Sequence, residues 1–254
     1  MIYYKKQKDI EGLRESGKIL VSILLTLKEM AKEGIVLEDL NKKAIEMLQK
    51  TGATAAFLNY QPEGAKKPFP AAICTSLNEQ IVHGIPDKRI LKNQDVLKID
   101  IGVVYKNYIT DAALTVGIGK INKETQNLIN ATKEALDKAI EISKQPNSTL
   151  GDIGWIIENT AEKNGLSIIN ELTGHGVGFK LHEDPIVYNY GEKGTGITIK
   201  NGLVIAIEPM TSLGSPIIIK NQDESFSTKD GSLTAHFEKT IAITENGVEV
   251  LTPF

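Results

Sequence analysis

Only one cysteine, Cys74, stands in the 254 residues. No disulfide can therefore form within the chain, a zinc module built from several thiolates is excluded, and a reducing compartment is expected. No charge of one sign dominates: 29 Lys and Arg face 32 Asp and Glu, a net −3, without a dense basic block. The electrostatic footprint of a nucleic-acid binder is missing. Long apolar runs are missing too. Ile19 to Leu25, interrupted by Ser22, falls far short of the roughly 20 residues that cross a bilayer. Met1 to Asp9 lacks the apolar stretch and small-residue site of a secretory signal. The expectation is a soluble, globular, cytoplasmic protein with neither nucleic acid nor membrane as a partner. A chain this long buries about 70–75 % of its unfolded surface and needs no covalent staple.

What is present is periodic. Ile10, Leu13, Leu20, Leu24, Leu27 and Ala31 recur at helical spacing after Asp9, which can cap the helix, and Gly34 ends it. A second amphipathic stretch runs over 37–49 and stops at Gly52. Residues 95–104 and 108–116 are rich in Val, Ile, Tyr and Thr and read as strands. The second half repeats this order. Helices are predicted from Asn122 to about Ser143 and over 147–163, ending at Gly165. Strands follow at 203–208, 217–220, 234–244 and 248–251. Leu37-x-Asp39-Leu40 with Lys50 and Gly52 is matched 113 residues later by Leu150-x-Asp152-Ile153 with Lys163 and Gly165. A duplicated unit, about 8–118 and 122–254, packed about a pseudo-twofold axis within one domain (1–254), accounts for both. Residues 61–70, rich in Pro, Gly and Lys, read as a surface loop.

The chemistry lies in acids set among apolar residues. In Leu97-Lys-Ile-Asp-Ile-Gly-Val103 the residues Leu97, Ile99, Ile101 and Val103 share one face, which puts Asp100 on the other with Lys98 and Gly102. If the next strand folds back around 105–107, Asp111 lies nearly opposite Asp100, where like charges repel. Glu208 ends the apolar run from Leu203, and Glu238 sits between Phe237 and Ile241. Carboxylates in such strands are costly unless paired or coordinated. A salt bridge could satisfy any one of them. Four together point to a shared divalent cation, which hard oxygen ligands suit. His175 lies between glycines in Gly174-His-Gly-Val-Gly178, His83 in Val82-His-Gly-Ile-Pro86, and His182 in Leu181-His-Glu-Asp-Pro185. His236 shares a face with Glu238 and reads as a supporting or structural residue.

Ile99-Asp-Ile-Gly-Val103, Asp111, Gly174-His-Gly-Val-Gly178, Ile207-Glu-Pro-Met210 and Phe237-Glu-Lys-Thr-Ile241, in this order, resemble the type I methionine aminopeptidases. Leu77-Asn-Glu-Gln-Ile-Val-His-Gly-Ile-Pro-Asp87 is a further local likeness, and the resemblance covers about 8–252. The interval from His182 to Glu208 has no room for the additional subdomain of the type II enzymes, and no N-terminal extension is expected. The resemblance implies an α+β "pita-bread" fold, two pseudo-symmetric αβ halves around a central antiparallel sheet. It implies two divalent metal ions (Co, Mn, Fe or Zn), bridged by Asp111 and Glu238. His175 and Glu208 would complete one metal's ligands and Asp100 the other's. Four carboxylates and two such ions balance in charge.

The implied reaction removes the N-terminal methionine of nascent polypeptides with a small second residue, through attack by a metal-bridging hydroxide. By resemblance Glu208 shuttles the proton, His182 donates to the oxyanion, and His83 faces the scissile nitrogen and the second residue. Cys74, Phe69, Leu181 and Tyr60 would line the methionine pocket. A monomer working near the ribosome is expected. Leu181 departs from the Phe of many relatives, no Trp stands near 224–226, and the loop at 61–66 is longer than usual. Two other readings share the ligand set or the fold: an Xaa-Pro aminopeptidase or prolidase, and a non-catalytic pita-bread binding protein.

Overall fold

Helix boundaries follow their caps. The computed structural model describes residues 1–62 and 64–254; Glu63, inside the loop predicted over 61–70, lies outside them. Helix α1 (Gln7–Met30) begins two residues before Asp9, whose carboxylate accepts the Lys6 backbone N–H at 2.9 Å from inside the first turn. Asp9 thus satisfies an end donor from the third helical position rather than from the cap. The helix stops at Ala31, short of Gly34. Helix α2 (Leu37–Thr51) ends on Gly52 in the left-handed conformation, φ 70°. Helix α3 (Lys123–Ser143) is capped by Asn122, whose side chain accepts from Thr125 N at 2.8 Å. Helix α4 (Leu150–Lys163) opens with the reciprocal Thr149–Asp152 capping box, a turn later than the predicted start at 147.

The strands are β1 (Thr54–Ala55), β2 (Cys74–Leu77), β3 (Gln80–Val82), β4 (Val96–Tyr105), β5 (Tyr108–Gly117), β6 (Ser167–Ile168), β7 (Gly174–Gly176) and β8 (Glu183–Val187). They continue with β9 (Val204–Ile207), β10 (Met210–Ser212), β11 (Ile218–Lys220), β12 (Phe226–Thr228), β13 (Thr234–His236), β14 (Glu238–Thr244) and β15 (Gly247–Val250). A central sheet runs β1-β4-β5-β14-β9-β7-β8, with β2 added to β4 and β15 to β14, and its pairs are antiparallel. Leu97, Ile99, Ile101 and Val103 are fully buried in the same core as Leu20, Leu24 and Leu27 of α1 and Leu128, Ala135 and Leu136 of α3. The helices therefore cover one face of the sheet, and each half contributes a helix pair: α2 starts at Leu37 and α4 at Leu150, the residues of the internal repeat. This is the pita-bread α+β fold.

The other face carries the acids. It is not an open solvated face, because Lys98, Asp100 and Asp111 are all buried. The strand predicted over 234–244 is two. A break at Phe237 sends β13 to pair with β10 in a small sheet while β14 joins the central one. That break leaves His236 and Glu238 at the junction of two sheets. Among the described residues, no helix is long and apolar enough to cross a membrane.

Candidate active site

Four strand positions and the residue that follows β9 aim acids and one imidazole at a common point. In the β4–β5 ladder Asp100 pairs with Ala113 and Asp111 with Gly102. The two carboxylates are therefore diagonal neighbours on one face rather than directly opposed, which a turn at Lys106–Asn107 dictates. Where the β5–β14 ladder ends, the Thr240 hydroxyl takes over: it accepts from Asp111 N at 2.9 Å and donates to Asp111 O at 2.8 Å. Glu238 opens β14 opposite Ala113, and Glu208 follows directly on β9. Asn189 holds the Glu208 backbone carbonyl at 3.0 Å. His175, the centre of β7, completes the ring.

The glycines beside His175 serve the sheet. A Cβ on Gly174 would stand 2.4 Å from Ala206 O, and one on Gly176 would stand 2.2 Å from Asp184 O. What approaches so closely is a neighbouring strand on each side. His175 Nδ1–H donates to Gly176 O at 2.9 Å, which fixes the tautomer and leaves the Nε2 lone pair facing the acids. Nε2 lies 3.6 Å from Glu208 Oε1 and 3.9 Å from Glu238 Oε1.

Among the described residues, no lysine or arginine forms an ion pair with Asp100, Asp111, Glu208 or Glu238, so the salt-bridge alternative fails. Asp100 Oδ1, Asp111 Oδ1 and Glu238 Oε1 are buried without a hydrogen-bond partner. Orphaned carboxylate oxygens are expensive unless a ligand compensates them. Burial, with the neighbouring acids adding to it, lifts the acids: Asp100 to about 7, Glu208 by burial to about 8, and Asp111 and Glu238 well above the carboxylate range. Burial pushes His175 down to about 3, so its imidazole is neutral. Asp111, His175 and Glu238 each offer one ligand atom, all within 4.8 Å of one another, and so do Glu208, His236 and Glu238. Hard oxygens and a neutral imidazole fit divalent metal ions.

All eleven residues singled out from the sequence line one cavity of about 1090 Å³: Tyr60, Phe69, Cys74, His83, Asp100, Asp111, His175, Leu181, His182, Glu208 and Glu238. Its apolar side is a cluster of Phe57, Cys74 and Leu181, with Tyr60 and Phe69 packed against it. Burial pushes the Cys74 thiol up, so it stays protonated. Tyr60 Oη lies 2.8 Å from His182 Nδ1. His83 holds a left-handed backbone, φ 61°, a conformation that side-chain-bearing residues adopt at a cost and that clusters at functional sites. Its ring meets Phe226 edge-on at 5.9 Å. Phe226 therefore stands at the wall where the sequence shows no Trp.

Three residues carried little sequence signal. Phe57 follows a two-residue strand and has no periodic context. Phe226 opens the short strand β12 within a polar stretch of sequence. His236 is 1 % exposed, and neither ring nitrogen has a hydrogen-bond partner; Nε2 lies 3.3 Å from Glu208 Oε2. Its two-residue spacing from Glu238 was the available sign. Glu208 is thus flanked by two histidines, one at each oxygen.

A sheet face with four buried carboxylates, a neutral imidazole aimed among them and, among the described residues, no lysine or arginine paired to them fits a metal-dependent enzyme. The profile of metallopeptidase family M24 matches residues 11–245. The methionine aminopeptidase of Aquifex aeolicus is 43% identical over 252 residues, 97% of this chain and 96% of that protein. That of Clostridium acetobutylicum is 40% identical over 254 residues, 99% of each. The crystal structure of methionine aminopeptidase from Thermotoga maritima superposes with a TM-score of 0.94 at 38% identity, covering all of both chains. The chain belongs to metallopeptidase family M24 and, within it, to the methionine aminopeptidases.

Proposed function

We propose that Asp100, Asp111, His175, Glu208 and Glu238 hold two divalent metal ions, drawn from Co, Mn, Fe or Zn. With them the enzyme removes the N-terminal methionine of nascent polypeptides whose second residue is small. The observation that carries this is the set of orphaned buried oxygens facing a histidine whose free lone pair points at them. Asp111 and Glu238 would serve both ions, His175 and Glu208 would complete the ligands of one, and Asp100 those of the other. When bound, the ions would supply an acidified water and a Lewis acid for the substrate carbonyl.

The chain's own residues do the rest. Glu208 takes the proton from the attacking water and passes it to the leaving amine. With the Tyr60 hydroxyl, 2.8 Å from His182 Nδ1, as the donor, Nε2 would carry the hydrogen and serve as oxyanion donor. His83, kept neutral by burial at about 4, positions the scissile nitrogen and the second residue. Phe57, Tyr60, Phe69, Cys74 and Leu181 receive the methionine side chain. The chain acts as one catalytic domain and a monomer in the cytoplasm, near the ribosome.

The test is product analysis on metal-stripped protein reloaded with one metal at a time. Free methionine from a Met-Ala-Ser peptide is expected. Cleavage of an Ala-Pro peptide alone would make the enzyme an Xaa-Pro aminopeptidase or prolidase, and hydrolysis of neither would leave a binding protein.

His182→Ala is expected to lower kcat by an amount worth about 2.7–4 kcal/mol, the usual effect of losing one oxyanion donor, with metal content unchanged. Tyr60→Phe removes only the tautomer-fixing hydrogen bond and is expected to cost a fraction of that. Steady-state kinetics with metal analysis on both variants checks this; loss of metal from His182→Ala at constant activity per bound metal would make His182 a ligand instead.

A further inference from the structure

The segment that carries Leu181 and His182 into the cavity has a fastening of its own, outside the catalytic set. Glu183 Oε1 accepts two backbone N–H groups, from Phe179 at 2.7 Å and Lys180 at 2.8 Å, and so closes the segment into a tight ring. Its other oxygen takes the ammonium of Lys5 at 2.5 Å. The side chains of Lys5 and Glu183 are 1 % and 0 % exposed. Lys5 reaches this point from the residues before α1, where its backbone N–H is pinned to Gly202 O at 2.7 Å. The ammonium passes over Gly178, which has φ 142° and where a Cβ would come within 2.5 Å of Lys5 Cε. Gly178 O in turn accepts from Ile109 N at 2.7 Å, tying the ring to β5, the strand of Asp111. A buried ion pair is a poor source of net stability, since two charges lose their hydration to form it. Its directional contacts, by contrast, specify one geometry for the ring.

We propose that the Lys5–Glu183 pair is a positioning device that sets the ring of His182 against the reacting carbonyl. The inference rests on the proposed role of His182 as oxyanion donor. Glu183 borders the cavity, but its oxygens are engaged by the two backbone N–H groups and the Lys5 ammonium, so the pair acts through the segment it fastens. Lys5→Met should lower kcat on a Met-Ala-Ser peptide about tenfold to a hundredfold, with KM and metal content close to wild type. Lys5→Arg, which keeps the charge, should recover much of the loss. The deciding measurement is the cycle with His182→Ala. If the pair works through His182, Lys5→Met in the His182→Ala background changes kcat less than twofold. The same drop in both backgrounds would show that the pair supports the fold alone and overturn the proposal. A wild-type kcat for His182→Ala by itself would instead overturn the oxyanion reading, and the proposal with it. Should Lys5→Met not fold, Lys5→Met/Glu183→Gln leaves neither charge buried without a partner and enters the same cycle with the same expectation.

Discussion

Glu208→Gln is expected to cut kcat by at least about a hundredfold, and up to about 10⁴, the range over which a positioned acid–base group contributes. The amide keeps an oxygen where Glu208 Oε1 now faces His175, so metal content should fall little. What it loses is the ability to take a proton and return it. Folding should survive, because a neutral amide replaces an acid that the site keeps reluctant to ionise. His236, 3.3 Å from Oε2, can receive the new N–H. Measurement of kcat, metal content and melting temperature on one preparation checks all three. Near-normal turnover with metal retained would remove Glu208 from the proton path.

The reach of the sequence differs from element to element for physical reasons. Helices α1 to α4 were legible because each buries one stripe, and the stripe repeats at helical spacing. The hairpin of β4 and β5 was legible from its β-branched residues. Strands β7 and β8 were not: Gly-His-Gly is too short and too poor in side chains to show alternation, and β8 contains a proline. The break at Phe237 was hidden because both sheets bury their residues there, so the apolar pattern continues across it. The acids stood out because carboxylates in apolar strands demand an explanation, and all four reach one point. The supporting residues did not stand out. Lys5 reads as one of several N-terminal lysines, and only the structure shows that it alone turns inward to Glu183.

Removing the metal is expected to lower the melting temperature, and by more at pH 8 than at pH 6.5. Binding to the native state alone adds RT ln(1 + [M]/Kd), about 2.7 kcal/mol at a hundredfold excess. At about 2–4 °C per kcal/mol for a domain of this size, the shift is about 5–10 °C. Its pH dependence follows from the raised acids. In the metal-free fold Asp100 holds its proton to about 7 and Glu208 to about 8, and Asp111 and Glu238 lie well above their ordinary values. Below those values a metal ion must displace protons to bind; above them it finds carboxylates already ionised and repelling one another. Binding therefore releases protons, and raising the pH through 7 and 8 strengthens it. The metal-free protein alone gives a mixed trace. From about pH 4 to 6.5 its raised acids lose stability with rising pH, while the lowered histidines His83, His175 and His236 gain it. The difference between loaded and stripped protein isolates the site, because groups outside it, such as the lowered Asp152 in the first turn of α4, contribute to both traces. Asp111→Asn removes one bridging charge and should shrink the difference at every pH. Melting curves of stripped protein across a metal titration, at pH 6.5 and 8 and for wild type and variant together, give the result. A wild-type melting temperature indifferent to metal at both pH values would mean that these acids do not form one metal site.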